Sequence, residues 1–205
     1  VCDIGDAAES NLILICDACG VAAHQYCYGV MDVPEGDWFC RTCEAGVVPG
    51  SQECALCDVK TGAMVRTTNR RWVHSACAYW TEQCVFVDLA RMEPVGAVGR
   101  DGQSKGPFDA IPAGMFASTC DVCGTQHGIC MYCYHPGCEA TFHPLCGRNA
   151  GYHMTIQEVD GTIEFKALCP AHAARARVPE RKRLAHFVPI RDPAVPPALA
   201  AARAA

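Results

Sequence analysis

Long hydrophobic runs are missing from this sequence of 205 residues. No stretch of about eighteen apolar residues is present to cross a membrane, and no secretory leader pattern opens the chain. We therefore expect a soluble protein without a membrane partner, in a reducing compartment. The sequence also does not begin with Met, so we expect it to be a fragment.

Basic residues are scarce in the first 45 positions. That segment has eight acidic residues and a single basic one, Arg41. It should therefore attract a cation or a basic peptide. The imbalance reverses from position 173 onward, where seven basic residues accompany two acidic ones. There we expect a basic and then Ala/Pro-rich tail over residues 175–205, disordered at its end.

Cysteine, by contrast, is abundant. The chain has 17 Cys and 8 His, with 18 Gly and 13 Pro that argue against a large conventional hydrophobic core. Most cysteines form pairs separated by two residues and stand near a His, which is typical of metal sites rather than of a disulfide framework. Zinc is the expected ion, because Cys and His are its usual structural ligands, four to a site.

Four potential ligands crowd the stretch ICDACGVAAHQYC, namely Cys16, Cys19, His24 and Cys27. If they bound one zinc together, as in a retroviral-type knuckle, the cysteines on either side would be stranded. In an interleaved assignment, every paired cysteine binds a zinc ion. Its first zinc is held by Cys16, Cys19, Cys40 and Cys43. Its second is held by Cys2, His24, Cys27 and a fourth ligand that would precede Val1.

The remaining ligands divide into three further sets. One is a self-contained knuckle of Cys54, Cys57, His74 and Cys77. A second interleaved cluster places Cys120, Cys123, His143 and Cys146 on one zinc. Its other zinc is held by Cys133, Cys138, Cys169 and His172. Five Zn²⁺ sites are thus expected, one lacking a ligand in this chain. Cys84 and Cys130 are left over as small buried hydrophobes, although Cys130 could be confused with Cys133.

The order of these ligands resembles that of a PHD finger more than that of a RING finger, because Trp38 stands two residues before Cys40. From Cys2 to His172 the chain resembles the PHD finger, zinc knuckle, extended PHD finger (PZP) module of Jade and BRPF scaffold proteins and plant trithorax-like methyltransferases. The motifs that carry this resemblance are NLILICDAC, HQYCYGV, VPEGDWFCRTC, RWVHSACAYW, MEPV, TCDVC and TFHPLC.

The resemblance implies a small zinc-stabilised α+β fold. Two interleaved (cross-brace) PHD-type fingers would be joined by a single-zinc knuckle, with short two-stranded sheets and short helices. The predicted segments are a PHD finger at 1–46, truncated by its first Cys, a zinc knuckle at 50–93, a Gly/Pro-rich linker at 94–118, an extended PHD finger at 119–174 and the tail at 175–205. The linker looks longer than the usual connection of the family.

The resemblance also implies that the first finger binds the amino-terminal tail of histone H3 as an added strand. The apolar run Asn11, Leu12, Ile13 and Leu14 is suited to an edge strand, although the same side chains could simply be core. The loop Pro34, Glu35 and Gly36 would receive the free amino terminus of the tail. Asp17 would accept its second-residue arginine, and Asp6 and Glu9 its fourth-residue lysine. Solvated surface is the alternative for each of these acids, and for Asp6 and Glu9 it is the favoured one.

The residue at position 22 bears on whether the finger prefers a methylated or an unmodified fourth lysine. Reading a trimethylated lysine needs an aromatic cage, because a quaternary ammonium cannot donate hydrogen bonds. Related methyl-reading fingers commonly have a Trp two residues before the His ligand, and this chain has Ala22 there. We therefore expect a preference for the unmodified fourth lysine.

DNA contact is an auxiliary expectation. Residues 119–172 are net negative, whereas phosphate binding needs Lys and Arg. Any DNA contact would fall on the basic residues elsewhere, namely Arg66, Arg70, Arg71, Arg175, Arg177, Arg181, Lys182 and Arg183. A solvated basic arm is the alternative for the tail.

No enzymatic activity is expected within these residues, because four protein ligands leave zinc no open position to activate water. The leading hypothesis is a nuclear chromatin reader module within a larger chromatin regulator, with the histone H3 tail and histone-modifying complex subunits as partners. The full-length protein could carry or recruit a histone-modifying enzyme. The alternatives are a nucleic-acid-binding zinc protein and a RING-like ubiquitin ligase.

Overall fold

Short strands and short helices make up the chain in a computed structural model, which describes residues 7–99, 101–102, 104–159 and 162–173. In this part of the chain, five small antiparallel sheets alternate with helices of four to six residues. None of these helices is long and apolar enough to cross a bilayer. The predicted fold class, a small zinc-stabilised α+β chain with short sheets and helices, is confirmed.

The first finger is built on a two-stranded sheet. Strand β1 (Ile13–Ile15) pairs antiparallel with β2 (Ala22–His24), so that Leu14 lies opposite Ala23 and both are buried. Ile15 points away from this small core and is 62% exposed. Helix α1 (Gln25–Tyr28) follows β2 directly and helix α2 (Arg41–Glu44) closes the finger.

The knuckle is larger than the minimal zinc site. Its elements are β3 (Met64–Arg66), β4 (Trp72–His74), α3 (Ser75–Trp80), β5 (Cys84–Asp88), β6 (Glu93–Val98) and β7 (Lys105–Gly106). The first two strands pair with each other, and the last three form a sheet in the order β5-β6-β7.

The linker predicted at 94–118 is instead part of this folded unit. Strand β6 starts within the preceding knuckle and continues through Pro94 and Gly96, and β7 pairs with it. Two 3-10 helices follow, Phe108–Ala110 and Ala113–Phe116, and the Phe108 side chain is only 2% exposed. The Gly-rich composition of this segment therefore did not reveal that it contains the paired strands β6 and β7. Glycine is needed at position 96 because a Cβ there would stand 2.4 Å from the Gly106 carbonyl oxygen.

The extended PHD finger has two hairpins and two helices. Its elements are β8 (Met131–Tyr132), β9 (Thr141–Phe142), α4 (Pro144–Asn149), β10 (His153–Val159), β11 (Thr162–Leu168) and α5 (Pro170–Ala173). The long hairpin β10–β11 pairs over its full length, from His153 opposite Leu168 to Val159 opposite Thr162.

The first finger and the knuckle share one core through Tyr28 and Arg41. The Tyr28 hydroxyl donates to the Met64 carbonyl at 2.6 Å and accepts the Arg41 backbone N–H at 3.1 Å. The Arg41 guanidinium lies 4.3 Å from the centre of the Tyr28 ring and forms an ion pair with Glu93 at 3.1 Å. Burial raises the pKa of Tyr28 far above its usual range, so it stays a neutral donor.

The knuckle and the extended PHD finger also pack directly on each other. The Ile129 N–H donates to the Leu56 carbonyl at 3.2 Å, and His127 Nε2 donates to the Cys54 carbonyl at 2.8 Å. Gly128 lies between these two contacts, and a Cβ there would stand 2.2 Å from the Leu56 oxygen. The backbone of residues 127–129 is thus docked on the zinc turn of the knuckle.

Replacement of Gly29 by Ala should separate the first finger from the knuckle. Gly29 has φ +69°, and a Cβ there would lie 2.1 Å from the Arg91 carbonyl carbon. Gly46 has the same φ and nothing within 4 Å, so it is a matched control. We expect Gly46→Ala to lower the free energy of unfolding by about 1 kcal/mol through backbone strain alone. Gly29→Ala should cost about 3 kcal/mol or more. Equal losses in zinc-saturated denaturant titrations would contradict this close packing.

Candidate metal centres and strand edge

Sixteen Cys and His side chains meet in four groups. The ligand atoms within each group lie within 4.8 Å of one another. The groups are Cys16, Cys19, Cys40 and Cys43; Cys54, Cys57, His74 and Cys77; Cys120, Cys123, His143 and Cys146; and Cys133, Cys138, Cys169 and His172. The structure thus brings together four of the five ligand sets that the spacing predicts, with both interleaved pairings in the second cluster.

The distances within these groups fit zinc. Zinc–sulfur bonds of about 2.3 Å in a tetrahedral site separate two sulfurs by about 3.8 Å. The Cys19 and Cys40 sulfurs are 3.7 Å apart, and those of Cys138 and Cys169 are 4.0 Å apart. The histidines turn Nδ1 toward the sulfurs, as His74 does at 3.4 Å from Cys57 Sγ. When bound, the metal crosslinks the chain, and its four ligands leave no open position for catalysis.

A repeated helix start provides the second half of three of the four ligand sets. The first ligand of the pair is the N-cap of a short helix and the second is its third residue. This holds for Cys40 and Cys43, His74 and Cys77, and His143 and Cys146. None of these N-cap side chains accepts a capping hydrogen bond from the backbone of its helix. Because the N-cap side chain is turned toward the metal site, ligation takes the place of the usual polar cap.

The first cysteine of each group receives the same kind of backbone hydrogen bond. Its sulfur accepts a backbone N–H from the third ligand of the same group. The donors are Cys40 to Cys16, His74 to Cys54, His143 to Cys120 and Cys169 to Cys133, at 3.3–3.4 Å. Burial acts to raise the pKa of Cys16, but backbone N–H donors, Cys40 first, outweigh it and lower this pKa to about 7. Such bonds favour the thiolate that zinc requires.

His24 and Cys27 repeat the same helix start. His24 is the N-cap of α1, Cys27 is its third residue, and both side chains are buried. Cys2, their predicted partner, lies outside the described residues. The local geometry is therefore that of a ligand pair, and a fifth zinc on Cys2, His24 and Cys27 stays a prediction.

The two leftover cysteines belong to none of the four groups. Cys130 Sγ lies 3.7 Å from the Ser118 carbonyl, whereas Cys133 lies beside His172. Burial raises the pKa of both Cys84 and Cys130 to about 12. At neutral pH both are thiols. Cys130 is buried, as the sequence predicts, whereas Cys84 is half-buried and packs against the core.

The outer edge of β1 is open. Gln25 N–H donates to the Leu12 carbonyl and Cys16 N–H to the Val21 carbonyl, so even-numbered residues face β2. The backbone groups of Ile13 and Ile15 must then face outward. Within the described residues, neither makes a backbone hydrogen bond outside the β1–β2 pair. Sequence analysis missed Gln25, whose buried side chain accepts the Leu12 N–H and helps to hold this strand.

Asp17 follows β1 closely and is bonded to Trp38, two residues after the loop of Pro34, Glu35 and Gly36. Asp17 Oδ2 accepts the Trp38 N–H at 2.7 Å, and the Asp17 N–H donates to the Trp38 carbonyl. Asp121 makes the same pair of bonds with Thr141, so this carboxylate has a structural role in both fingers. All three loop residues are exposed, and within the described chain none of them makes a backbone hydrogen bond.

The predicted DNA-contacting arginines differ in how exposed they are. Arg66 stacks 3.7 Å from the centre of the Trp72 ring and donates to the Arg70 carbonyl at 2.7 Å, which ties it to the knuckle. Arg70 and Arg71 are exposed. Arg175, Arg177, Arg181, Lys182 and Arg183 lie outside the described residues. Of the three predicted arginines that the structure describes, Arg70 and Arg71 are exposed and Arg66 is held by packing.

Known protein families match most of this chain. A PHD-finger family model matches residues 10–44, and a model described as a PHD-zinc-finger like domain matches residues 52–172. The chain belongs to the PHD-zinc-finger-like family. Both matches fall on the groups of ligands described above, and the predicted resemblance is confirmed.

The relatives of this chain include longer proteins. The chain is 36% identical over 175 residues to Protein Jade-1 of Danio rerio and 34% identical over 175 residues to E3 ubiquitin-protein ligase Jade-2 of Homo sapiens, each time over 84% of this chain. It is 35% identical over 161 residues, 78% of this chain, to Histone-lysine N-methyltransferase TRX1 of Oryza sativa subsp. japonica. The chain spans 20% of each Jade protein and 15% of the methyltransferase.

A solved structure shares the architecture. The crystal structure of zebrafish PHF14-PZP is similar to this chain with a TM-score of 0.67 and 28% identity. The match covers 84% of this chain and 85% of that one. The order of finger, knuckle and extended finger is thus shared over most of both chains.

Cys133→Ser should remove one zinc equivalent per chain, because it leaves three ligands where zinc needs four. Cys130→Ser should retain the full zinc content, since Cys130 lies outside the group. Zinc released on denaturation can be counted with a colorimetric chelator, using matched protein concentrations. Loss of zinc from Cys130→Ser but not from Cys133→Ser would reverse the assignment.

Proposed function

We propose that this chain is a chromatin reader module that binds the amino-terminal tail of histone H3 as a third strand on β1. The open outer edge of β1 is the observation that supports this proposal. Ile13 and Ile15 direct backbone donors and acceptors outward, and an extended peptide can satisfy them by strand addition. Leu12 and Ile15 are exposed apolar side chains beside that edge.

The direction of the added strand follows from the position of the loop. An antiparallel peptide would begin at the Asp17 end of β1 and end near Asn11. Asp17 bonds to Trp38, two residues beyond Gly36, so the loop of Pro34, Glu35 and Gly36 borders the start of such a peptide. Exposed backbone carbonyls there are suited to a free amino terminus.

Charge supports a basic ligand. The exposed acidic residues of the finger are Glu9, Asp17, Asp32, Glu35, Asp37 and Glu44. One carboxylate oxygen of Asp17 accepts the Trp38 N–H. We propose that the other accepts a hydrogen bond from the second-residue arginine of the peptide. Glu9 would lie at the far end near the fourth-residue lysine, whereas Asp6, the other predicted acid, lies outside the described residues.

The residue type at position 22 and the charge of the finger support a preference for unmodified lysine. Ala22 is exposed directly opposite Ile15 in the β1–β2 pair. Its methyl group offers no ring face to a quaternary ammonium, whereas acidic residues favour a lysine that can donate hydrogen bonds. We propose a nuclear location and a place within a histone-modifying assembly, in line with the names of the methyltransferase relatives. Any catalysis would belong to other parts of such a protein.

An unmodified histone H3 amino-terminal peptide should bind the zinc-loaded protein with a Kd on the order of micromolar, about −8 kcal/mol. Acetylation of the peptide amino terminus should abolish binding, because the loop carbonyls then lose a charged donor. Trimethylation of the fourth lysine should weaken it by about tenfold. Calorimetry on the three peptides gives the comparison. Equal affinities for free and blocked peptides would rule out recognition by the loop.

Ile15→Pro should abolish peptide binding and leave the fold intact. Proline removes an N–H that faces the open edge, whereas the β1–β2 bonds use other residues. Ile15→Thr keeps that N–H and a β-branched side chain, so it should bind within about threefold of the parent. Amide spectra check the fold of both variants. Strong binding by Ile15→Pro would show that the peptide does not pair with β1.

Ubiquitin transfer is a second candidate, carried by the name of the Jade-2 relative. Incubation of the zinc-loaded chain with ubiquitin, activating enzyme and a panel of conjugating enzymes tests it. We expect no ubiquitin chains above the background of the conjugating enzyme alone. Zinc-dependent chain formation would instead favour the ligase.

A further inference from the structure

One residue of the knuckle bonds both to a ligand sulfur and to the extended PHD finger. Leu56 lies in the turn between Cys54 and Cys57, which belong to the knuckle group (Cys54, Cys57, His74 and Cys77). Its N–H donates to the Cys54 sulfur at 3.3 Å, and its carbonyl accepts the Ile129 N–H at 3.2 Å. Both Cys54 and Leu56 are fully buried. The shape of this turn therefore depends on its ligand group and on the neighbouring finger together.

Two further contacts fit the neighbouring segment, residues 127–129, to the same turn. His127 Nε2 donates to the Cys54 carbonyl at 2.8 Å. A Cβ on Gly128 would stand 2.2 Å from the Leu56 carbonyl oxygen and 2.7 Å from the Cys57 nitrogen. Residues 127–129 can therefore dock only where residues 54–57 have the conformation that gathers Cys54 and Cys57 into their group.

The docked segment also continues directly from a ligand turn of its own finger. That turn carries Cys120 and Cys123, which belong to the Cys120 group (Cys120, Cys123, His143 and Cys146). The Cys120 N–H donates to the Thr125 carbonyl at 2.9 Å, and the Thr125 hydroxyl lies 3.3 Å from the Cys123 sulfur. Only Gln126 stands between Thr125 and His127. Two ligand turns are thus joined through one short piece of backbone.

The helices that complete these two groups pack on each other as well. Cys77 lies on α3 and Cys146 on α4, and the two helices are in contact. Leu145 belongs to the same buried core as three ligands of the knuckle group. Burial raises the pKa of Cys146, and the charge of Cys57 acts in the same direction. The two groups are therefore neighbours in space and share their packing.

The first finger contacts the knuckle at other places. The Tyr28 hydroxyl bonds to the Met64 carbonyl, and the Arg41 guanidinium bonds to the Arg91 carbonyl and to Glu93. None of these three knuckle residues lies in the turn of residues 54–57. The Cys16 group (Cys16, Cys19, Cys40 and Cys43) is therefore a reference site that shares the core of the knuckle but not the docked segment.

We propose that the knuckle group and the Cys120 group bind zinc cooperatively, with residues 127–129 as the element that couples them. Without its metal, the knuckle turn no longer holds the Cys54 and Leu56 carbonyls in place, and the docked segment loses both hydrogen bonds. Part of the zinc-binding free energy of the Cys120 group must then order its own turn. Thermodynamic linkage makes the effect reciprocal, and we expect a change in zinc affinity of about tenfold in each direction. The inference concerns metal loading and does not depend on histone binding.

Site-resolved alkylation over a series of zinc buffers measures the affinity of each group separately. The full chain is equilibrated at each free zinc concentration and treated with an alkylating reagent, and the labelled cysteines are identified by mass spectrometry. In Cys57→Ser, half-labelling of the Cys120 group should require about tenfold more free zinc than in the parent chain. In Cys146→Ser, the knuckle group should shift by the same factor. The Cys16 group should label as in the parent, which also verifies that the variants stay folded.

The glycine at position 128 allows a test of the coupling element itself. Gly128→Ala places a Cβ against the Leu56 carbonyl, whereas Gly124 in the same finger has φ +73° and nothing within 4 Å, so Gly124→Ala is a matched control for backbone strain. Adding Cys57→Ser should shift the Cys120 group about tenfold in the Gly124→Ala chain and less than about twofold in the Gly128→Ala chain.

Three outcomes would overturn the proposal. The first is an unchanged Cys120 group in Cys57→Ser, because the two groups would then bind zinc independently. The second is an equal shift of the Cys16 group, which would report a general loss of stability. The third is a full tenfold shift in the Gly128→Ala chain, because residues 127–129 would then not carry the coupling.

Discussion

Metal ligation at the start of a helix is the constraint on which the other features depend. Helices of four to six residues are too short to be stable alone, since nucleation costs more than so few hydrogen bonds return. Here the N-cap and the third residue of the helix both point to one metal site, so a single ion fixes the first turn and joins it to a distant Cys pair. A structural zinc provides about 10–16 kcal/mol of apparent binding free energy, whereas a fully buried leucine provides about 2 kcal/mol.

Short sheets with open edges are a consequence of this arrangement. Because ligand residues lie in or directly beside the small hairpins β1–β2, β3–β4 and β8–β9, strands of two or three residues persist there without further neighbours, and β1 keeps an edge available for a peptide. The Asp17 and Trp38 bonds tie the end of β1 to the second half of the first ligand group. Asp121 and Thr141 repeat this device in the extended finger, which explains why the carboxylate is there irrespective of any ligand.

Spacing made the ligand groups and the fold class predictable, since pairs such as Cys16 with Cys19 and His143 with Cys146 leave few ways to complete four-ligand sites. The fold of residues 94–118 was not predictable in this way. Pro94 and Gly96 suggested a linker, yet they belong to a central strand that pairs with β5 before it and with β7 after it. The docking of residues 127–129 on the knuckle was equally hidden, because it uses backbone carbonyls and a glycine. Local patterns identify ligands, whereas tertiary backbone contacts set how the modules pack.

Native mass spectrometry during stepwise zinc chelation, with circular dichroism on the same samples, tests the dependence of the fold on metal most directly. The account predicts at least four zinc ions per chain and a loss of helix and strand signal that accompanies their removal. A chain with fewer than four ions, or one that keeps its spectrum and cooperative unfolding after all zinc is removed, would contradict it.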